Sequence, residues 1–279
     1  MKHSFLILAI LCTAPGCAGA QQASSTLTQS PPQAPVQSPP QAPVQSPRWG
    51  LGIGTAVSDT VYAGEGTRVT PFPLVTYEGE RFFWRGISGG AHLVQGPAFT
   101  LDATLSARID GIDRDDFGAE ELARNGIDRA RLEDRDDALD LGLASTWRGA
   151  AGQLTIGVKG DVTGTSKGFE ASVTYGYPLQ WGGARITPNV GVAHLSKKLA
   201  NYYYGTLPEE VARGVRSYQP GSAAIARVGV DVVRPFAGRW ALIGNVSYRK
   251  LPGKISDSPL LEKDTDGVVS GFIGLSRGF

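Results

Sequence analysis

Thiols, unbalanced charge and long apolar runs are all scarce in this 279-residue chain. Its 2 cysteines, Cys12 and Cys17, both sit near the N-terminus, so removal of a leader there leaves no disulfide framework and no thiolate metal site. A formal net charge of +1 offers no basic field able to hold nucleic acid by neutralising phosphates. Of the 3 histidines, His92 and His194 lie in the body of the chain, and neither belongs to a Gly-x-Ser-x-Gly or metal-spaced motif. His194 and Ser196 would share a strand face, but a nucleophile also needs an orienting third group, and none accompanies them. The expectation is a protein with no catalytic site, no cofactor and no metal centre. Past the N-terminus no segment approaches the roughly 20 apolar residues of a membrane helix. Any crossing of a membrane has to use strands.

Glycine, by contrast, is abundant at 37 residues, and with 9% aromatics it favours turns and strands over helices. Met1-Lys2-His3, the apolar run 5–11 and Ala18-Gly19-Ala20 follow the order of a secretory signal, which assigns 1–20 to an export leader. A cut before Cys17 would instead make a lipoprotein, although Ala14 stands where such sites prefer leucine. Residues 21–47 are rich in Pro, Gln and Ser and repeat Ser-Pro-Pro-Gln-Ala-Pro-Val-Gln at 30–37 and 38–45. With little to bury, this stretch reads as an extended, disordered tether.

From Trp49 the texture changes to alternation with a period of two, the pattern of strands with unlike faces. Phe99, Leu101, Ala103, Leu105, Ala107 and Ile109 oppose Thr100, Asp102, Thr104, Ser106 and Arg108. Similar segments occupy 139–147, 154–162, 169–177, 186–194, 224–236, 240–248 and 267–279, the last ending on Phe279. Their polar faces place Asp102, Arg108, Asp140, Lys159, Asp161, Glu170, Arg185, Arg227 and Asp231 together, as the lining of a barrel lumen. A soluble sandwich would alternate in the same way. Two further patterns favour a barrel in a membrane. Trp147, Tyr177, Phe236, Trp240 and Phe279 all fall on apolar faces at one set of strand ends, as an interfacial girdle does. The connections at that end are short, at 149–152, 178–183 and 237–238, whereas those at 111–137, 196–220 and 252–266 are long. With the C-terminus in the periplasm, the long ones become extracellular. Residues 48–279 are thus expected to form an all-β, transmembrane, antiparallel up-and-down barrel. Counting 49–57, 68–77, 99–109 and a pair of short strands in 81–94 around Gly89-Gly90 gives twelve staves, with ten as the even-numbered alternative.

With those segments placed, residues 49–279 resemble the MipA/OmpV family of bacterial outer-membrane proteins, the MltA-interacting protein family. The resemblance rests on Tyr62 with Gly64, Pro71-Phe72-Pro73 with Tyr77, Arg81-Phe82-Phe83, Asp161 with Gly164 and Gly168, Pro188, Tyr203-Tyr204-Gly205, and Glu209, Glu210, Ala212, Tyr218, Pro220 and Gly221 in that order. It implies a non-enzymatic barrel that links a peptidoglycan lytic transglycosylase to a penicillin-binding synthase at the periplasmic face. The alternatives it leaves are a narrow porin-like channel and a surface adhesin. Outer-membrane lipid is the other implied partner, and nucleic acid is not one. Trp181, at the 178–183 turn, is the candidate partner anchor, although a further girdle residue would look the same. The acidic and basic residues of 110–137 read as a solvated outer loop, Tyr202-Tyr203-Tyr204 as an upper girdle, and Glu209-Glu210 as loop architecture.

Overall fold

The computed structural model describes residues 48–279, so the leader at 1–20 and the tether at 21–47 lie outside the described residues. In chain order the strands are β1 (Trp49–Asp59), β2 (Thr67–Glu78), β3 (Phe82–Arg85), β4 (Ser88–Gln95), β5 (Phe99–Arg108), β6 (Ala138–Gly149) and β7 (Gly152–Asp161), followed by β8 (Phe169–Gly176), β9 (Leu179–Trp181), β10 (Ala184–Leu195), β11 (Ala223–Phe236), β12 (Trp240–Lys250) and β13 (Gly267–Gly278). Each pairs antiparallel with its neighbours, and β13 pairs with β1, so the sheet closes. Both β8 and β9 pair with β10. Pro178 breaks what is otherwise a single stave, because its nitrogen carries no hydrogen to donate. Counting that pair once, the wall has twelve staves, as parity requires, and ten is ruled out.

The alternation survives folding except at a bulge between His92 and Val94 in β4. Across the wall Ile53 registers with Leu275 and Val230 with Val246, and same-face apolar side chains cover the outside. Ile53 is 73% exposed and Val246 62%, values that no soluble protein would tolerate around its whole girth. Closure satisfies the backbone ladder without water except along residues 69–74 of β2, and hydrocarbon covers the outer band. Among the described residues no helix is long and apolar enough to cross a membrane.

Two turns differ from the sequence reading. The hairpin in 81–94 turns at Gly86, whose φ is +64°, and not at Gly89-Gly90. Those two glycines lie inside β4 under β3 aromatics: a Cβ on Gly89 would sit 2.5 Å from the Trp84 ring, and one on Gly90 2.6 Å from Phe83. The turn at 178–183 shrinks to Gly182-Gly183, at φ +55° and +79°, because 179–181 extends as β9.

The barrel's two ends are unlike. One holds Trp49, Phe279 and the tight turns, and is called here the terminal end. At the other, loops 60–66, 109–137, 196–222 and 251–266 fold over the opening. They carry α1 (Ala119–Arg124), α2 (Lys197–Tyr204), α3 (Pro208–Ala212) and α4 (Gly253–Ser256). Their buried side chains, among them Phe117, Leu122, Leu199, Tyr203, Ile255 and Leu260, form the largest apolar core in the described chain. It is a cap, and it packs like a small soluble domain.

Candidate functional site

The cap is built around an ion pair. Arg135 Nη1 and Nη2 meet Glu210 Oε1 and Oε2 at 2.8 and 3.0 Å, with the two residues 2% and 0% exposed. Arg135 also donates to the carbonyls of Tyr202, Glu133 and Gly205 at 2.7, 2.8 and 3.1 Å. Glu210 accepts the N–H groups of Glu133 and Leu207 at 2.9 and 2.7 Å. Loops far apart in sequence are thus tied at one buried point. The 110–137 segment is therefore not merely solvated: Ile112, Phe117, Leu122, Ile127 and Leu132 turn into the core, while every aspartate but Asp110 is exposed.

The tyrosine run is likewise not an upper girdle. Ser196 caps α2, its hydroxyl accepting the Leu199 N–H at 3.4 Å, and a helix places successive residues on different sides instead of along a membrane rim. Tyr203 is 2% exposed and donates to the Asp136 carbonyl at 3.1 Å, while the Tyr62 hydroxyl donates to the Tyr203 carbonyl at 3.0 Å. Burial pushes the phenols of Tyr62 and Tyr203 well up and that of Tyr204 up to about 12. Because the folded state holds these protons more tightly, their contribution is complete below the ordinary phenol value near 10 and is lost as pH rises through about 12. Alkaline titration of tyrosinate absorbance should show a late-ionising subset that appears together with loss of cap structure. Ionisation of all tyrosines near their ordinary value would contradict it.

Beneath the cap the polar faces converge, as their alternation requires. Arg108 Nη2 lies 2.6 Å from Asp140 and 3.1 Å from Glu170, and its Nη1 lies 3.3 Å from Asp110. Lys159 adds contacts of 3.2 Å to Asp140 and 3.9 Å to Glu170. Between this network and the cap is a cavity of about 170 Å³ bordered by Tyr203, Tyr204, Arg227 and Arg249. A second, of about 110 Å³, holds Asp231, which accepts from Asn189 and Asn245 at 2.8 and 2.6 Å. Arg227 lines both and donates to Thr174 at 3.4 Å.

Asp102 stands apart from that network, against His92 Nδ1 at 2.6 Å. His92 Nε2 lies 3.3 Å from Glu78, which receives Arg85 at 2.9 and 3.1 Å. Sequence reasoning passed over His92, Glu78 and Arg85, although each sits at the inward parity of its strand. Arg185 is exposed at the terminal-end mouth. Asp161 does not line the lumen: its carboxylate accepts the N–H groups of Thr163, Gly164, Ser166 and Lys167 and shapes the β7–β8 loop.

His194 and Ser196 are not brought together. His194 is exposed on the outer face, whereas the Ser196 hydroxyl is engaged at the start of α2 and accepts the Phe169 N–H at 2.9 Å. Among the described residues no three His, Cys, Asp or Glu side chains group as metal ligands. On the outer face at the terminal end stand Trp147 against Phe99, with ring centroids 5.3 Å apart, and Tyr177, Phe236, Trp240 and Phe279. Arg277 lies over the rings of Trp240 and Phe279 at 5.9 and 5.3 Å, which accounts for a cation on an otherwise apolar face. Trp181, at the end of β9, is 76% exposed.

The family described as MltA-interacting protein MipA matches residues 51–279. The chain is 29% identical over 224 residues to the MltA-interacting protein of Escherichia coli (strain K12), covering 80% of this chain and 88% of that one. It is 27% identical over 218 residues to the putative outer membrane protein YiaT of the same organism, covering 77% and 85%. Over 138 residues it is 25% identical to the outer membrane protein OmpV of Vibrio cholerae serotype O1, covering 50% and 54%. A closed wall of twelve staves with an apolar exterior, matched over nearly all its described length, places this chain in the MipA family of bacterial outer-membrane proteins.

Proposed function

We propose that the protein is a non-enzymatic docking barrel whose terminal end faces the periplasm and binds a peptidoglycan lytic transglycosylase, with a peptidoglycan synthase as second partner. The observation that carries this reading is the cap: a packed core held by Arg135 and Glu210 closes one end of the lumen, which argues against a diffusion channel. A relative named MltA-interacting protein supports the class of partner that the family resemblance implies, a lytic transglycosylase. In this reading the charged lumen residues brace the wall from within, since Arg108, Asp140, Lys159 and Glu170 neutralise one another. Trp147, Tyr177, Phe236, Trp240 and Phe279 form the inner-leaflet girdle, and the tight periplasmic turns present a rigid surface.

Trp181 is the anchor. A large aromatic left 76% exposed beside a Gly-Gly turn is the kind of group that dominates an interface once desolvated. A photo-crosslinker at position 181 in intact cells should capture a lytic transglycosylase. Capture of membrane lipid alone would reduce Trp181 to a girdle residue and remove the scaffold's contact point. In a planar bilayer the purified protein should pass no steady current, and stable conductance steps would favour the channel instead.

A further inference from the structure

One stave is too short for its place in the wall. β3 has 4 residues where β2 has 12, and it meets β2 only at Thr76, Tyr77 and Glu78. The β3–β4 tip is then fastened on both sides: Gly86 N–H donates to the Val75 carbonyl at 3.1 Å, and Ala107 N–H donates to the Ile87 carbonyl at 3.0 Å. Beyond the tip, residues 69–74 of β2 have β1 on one side and no strand on the other. The next tie across the opening is the Arg68 guanidinium, which donates to the Gly111 carbonyl at 3.3 Å. At about 3.3 Å per residue the bare edge runs roughly 20 Å.

This opening lies within the apolar band of the outer wall. Its sill, Val75, is separated from the terminal-end aromatic Tyr77 by a single residue, and its surround is Val69, Ile87, Leu105 and Ile109, all exposed. The edge itself has a particular chemistry. Glu78 N–H donates to the Arg48 carbonyl on the β1 side, so even-numbered residues of β2 turn their backbone toward β1 and odd-numbered ones toward the opening. Two of those odd positions are Pro71 and Pro73, which have no N–H. A strand offered by another protein would find donors missing at alternate sites and could not complete a ladder. The carbonyls of Val69, Pro71 and Pro73 stay unpaired along the edge, a cost of the opening, but with two of its three N–H groups absent the edge is less polar than an ordinary bare strand.

Behind the opening the lumen is locally apolar, unlike the charged network near the cap. Phe72 and Phe272 meet edge to face at 6.5 Å, and a Cβ on Gly54 would lie 2.9 Å from the Phe72 ring, so the aromatic is laid directly on bare backbone. We propose that this opening is a lateral window through which an acyl chain of the surrounding membrane lipid enters and rests on the Phe72–Phe272 pair. Continuity decides the occupant: the lipid that covers the outer band reaches the window over the apolar side chains of Val69, Val75, Ile87, Leu105 and Ile109.

The test uses the full chain with C12S and C17S, reconstituted in phosphatidylcholine vesicles and spin-labelled through Thr70→Cys or Phe272→Cys. The controls are Thr155→Cys, facing the lumen on the opposite wall, and Val158→Cys, on the outer face. Labels at 70 and 272 should collide with oxygen in strong preference to a water-soluble nickel chelate, as the label at 158 does and several-fold beyond the label at 155. If position 272 disturbs folding, position 70 alone decides. Chelate accessibility at position 70 equal to that at 155 would mean a water-filled notch and overturn the proposal.

Discussion

Arg135→Ala should unseat the cap while leaving the wall standing. The substitution strands the Glu210 carboxylate, 0% exposed, with only the N–H groups of Glu133 and Leu207, and frees the carbonyls of Tyr202 and Gly205 inside an apolar core. Removing one partner of a buried pair costs about 3–5 kcal/mol, enough to unfold a cap of this size on its own. The staves do not depend on it, because their ladders run from β1 round to β13 without the loops. The expected result is a barrel that keeps its heat-modifiable migration but conducts in a planar bilayer and loses its loops to protease. Arg135→Met combined with Glu210→Leu should recover much of the loss, since the penalty comes from the orphaned charge and not from the absent bond. A sealed, protease-resistant R135A protein would show that the core holds the cap without the ion pair.

Arg108→Leu is expected to act on the wall itself. Among the described residues Arg108 is the only group that touches Asp110, Asp140 and Glu170 together, and Asp140 is 1% exposed. Without the guanidinium, three carboxylates share Lys159, whose contacts reach only two of them. Like charges held close in a poorly solvated lumen repel strongly, and the loss should again be about 3–5 kcal/mol. It should appear as a lower urea midpoint for the whole barrel, not as release of the loops. Adding Asp140→Leu to the same chain should restore part of the midpoint. An unchanged midpoint in Arg108→Leu would mean that lumen water already screens the network.

How much of this the residues disclosed depends on what each segment faces. Where lipid lies outside and polar groups inside, every second side chain changes character, so Leu139, Leu141 and Leu143 against Asp140 announced their stave directly. The β3–β4 hairpin was half legible, because Trp84 and Phe83 lie over Gly89 and Gly90 and the glycines imitate a turn. The cap was the least visible part. Nothing in the sequence separates Glu210 from Glu209, or Arg135 from the other arginines around it, since burial is decided by the meeting of distant loops. One signal was there to be used: Ile112, Phe117, Leu122, Ile127 and Leu132 recur at every fifth position through the charged stretch, and all five are buried. A solvated loop has no cause to keep that rhythm. Trp181 remained ambiguous because an interfacial aromatic and an anchor for a partner use the same side chain.

The join between β1 and β13 constrains how the molecule comes into being. Phe279 N–H donates to the Trp49 carbonyl at 2.8 Å, so the earliest and latest staves off the ribosome are neighbours. The seam therefore cannot zip until the whole domain has been synthesised, and until then two raw edges must be shielded from other chains. Substitutions along this seam, such as one at Gly52, where a Cβ would fall 2.0 Å from the Leu275 carbonyl, should therefore strain the last joint to form.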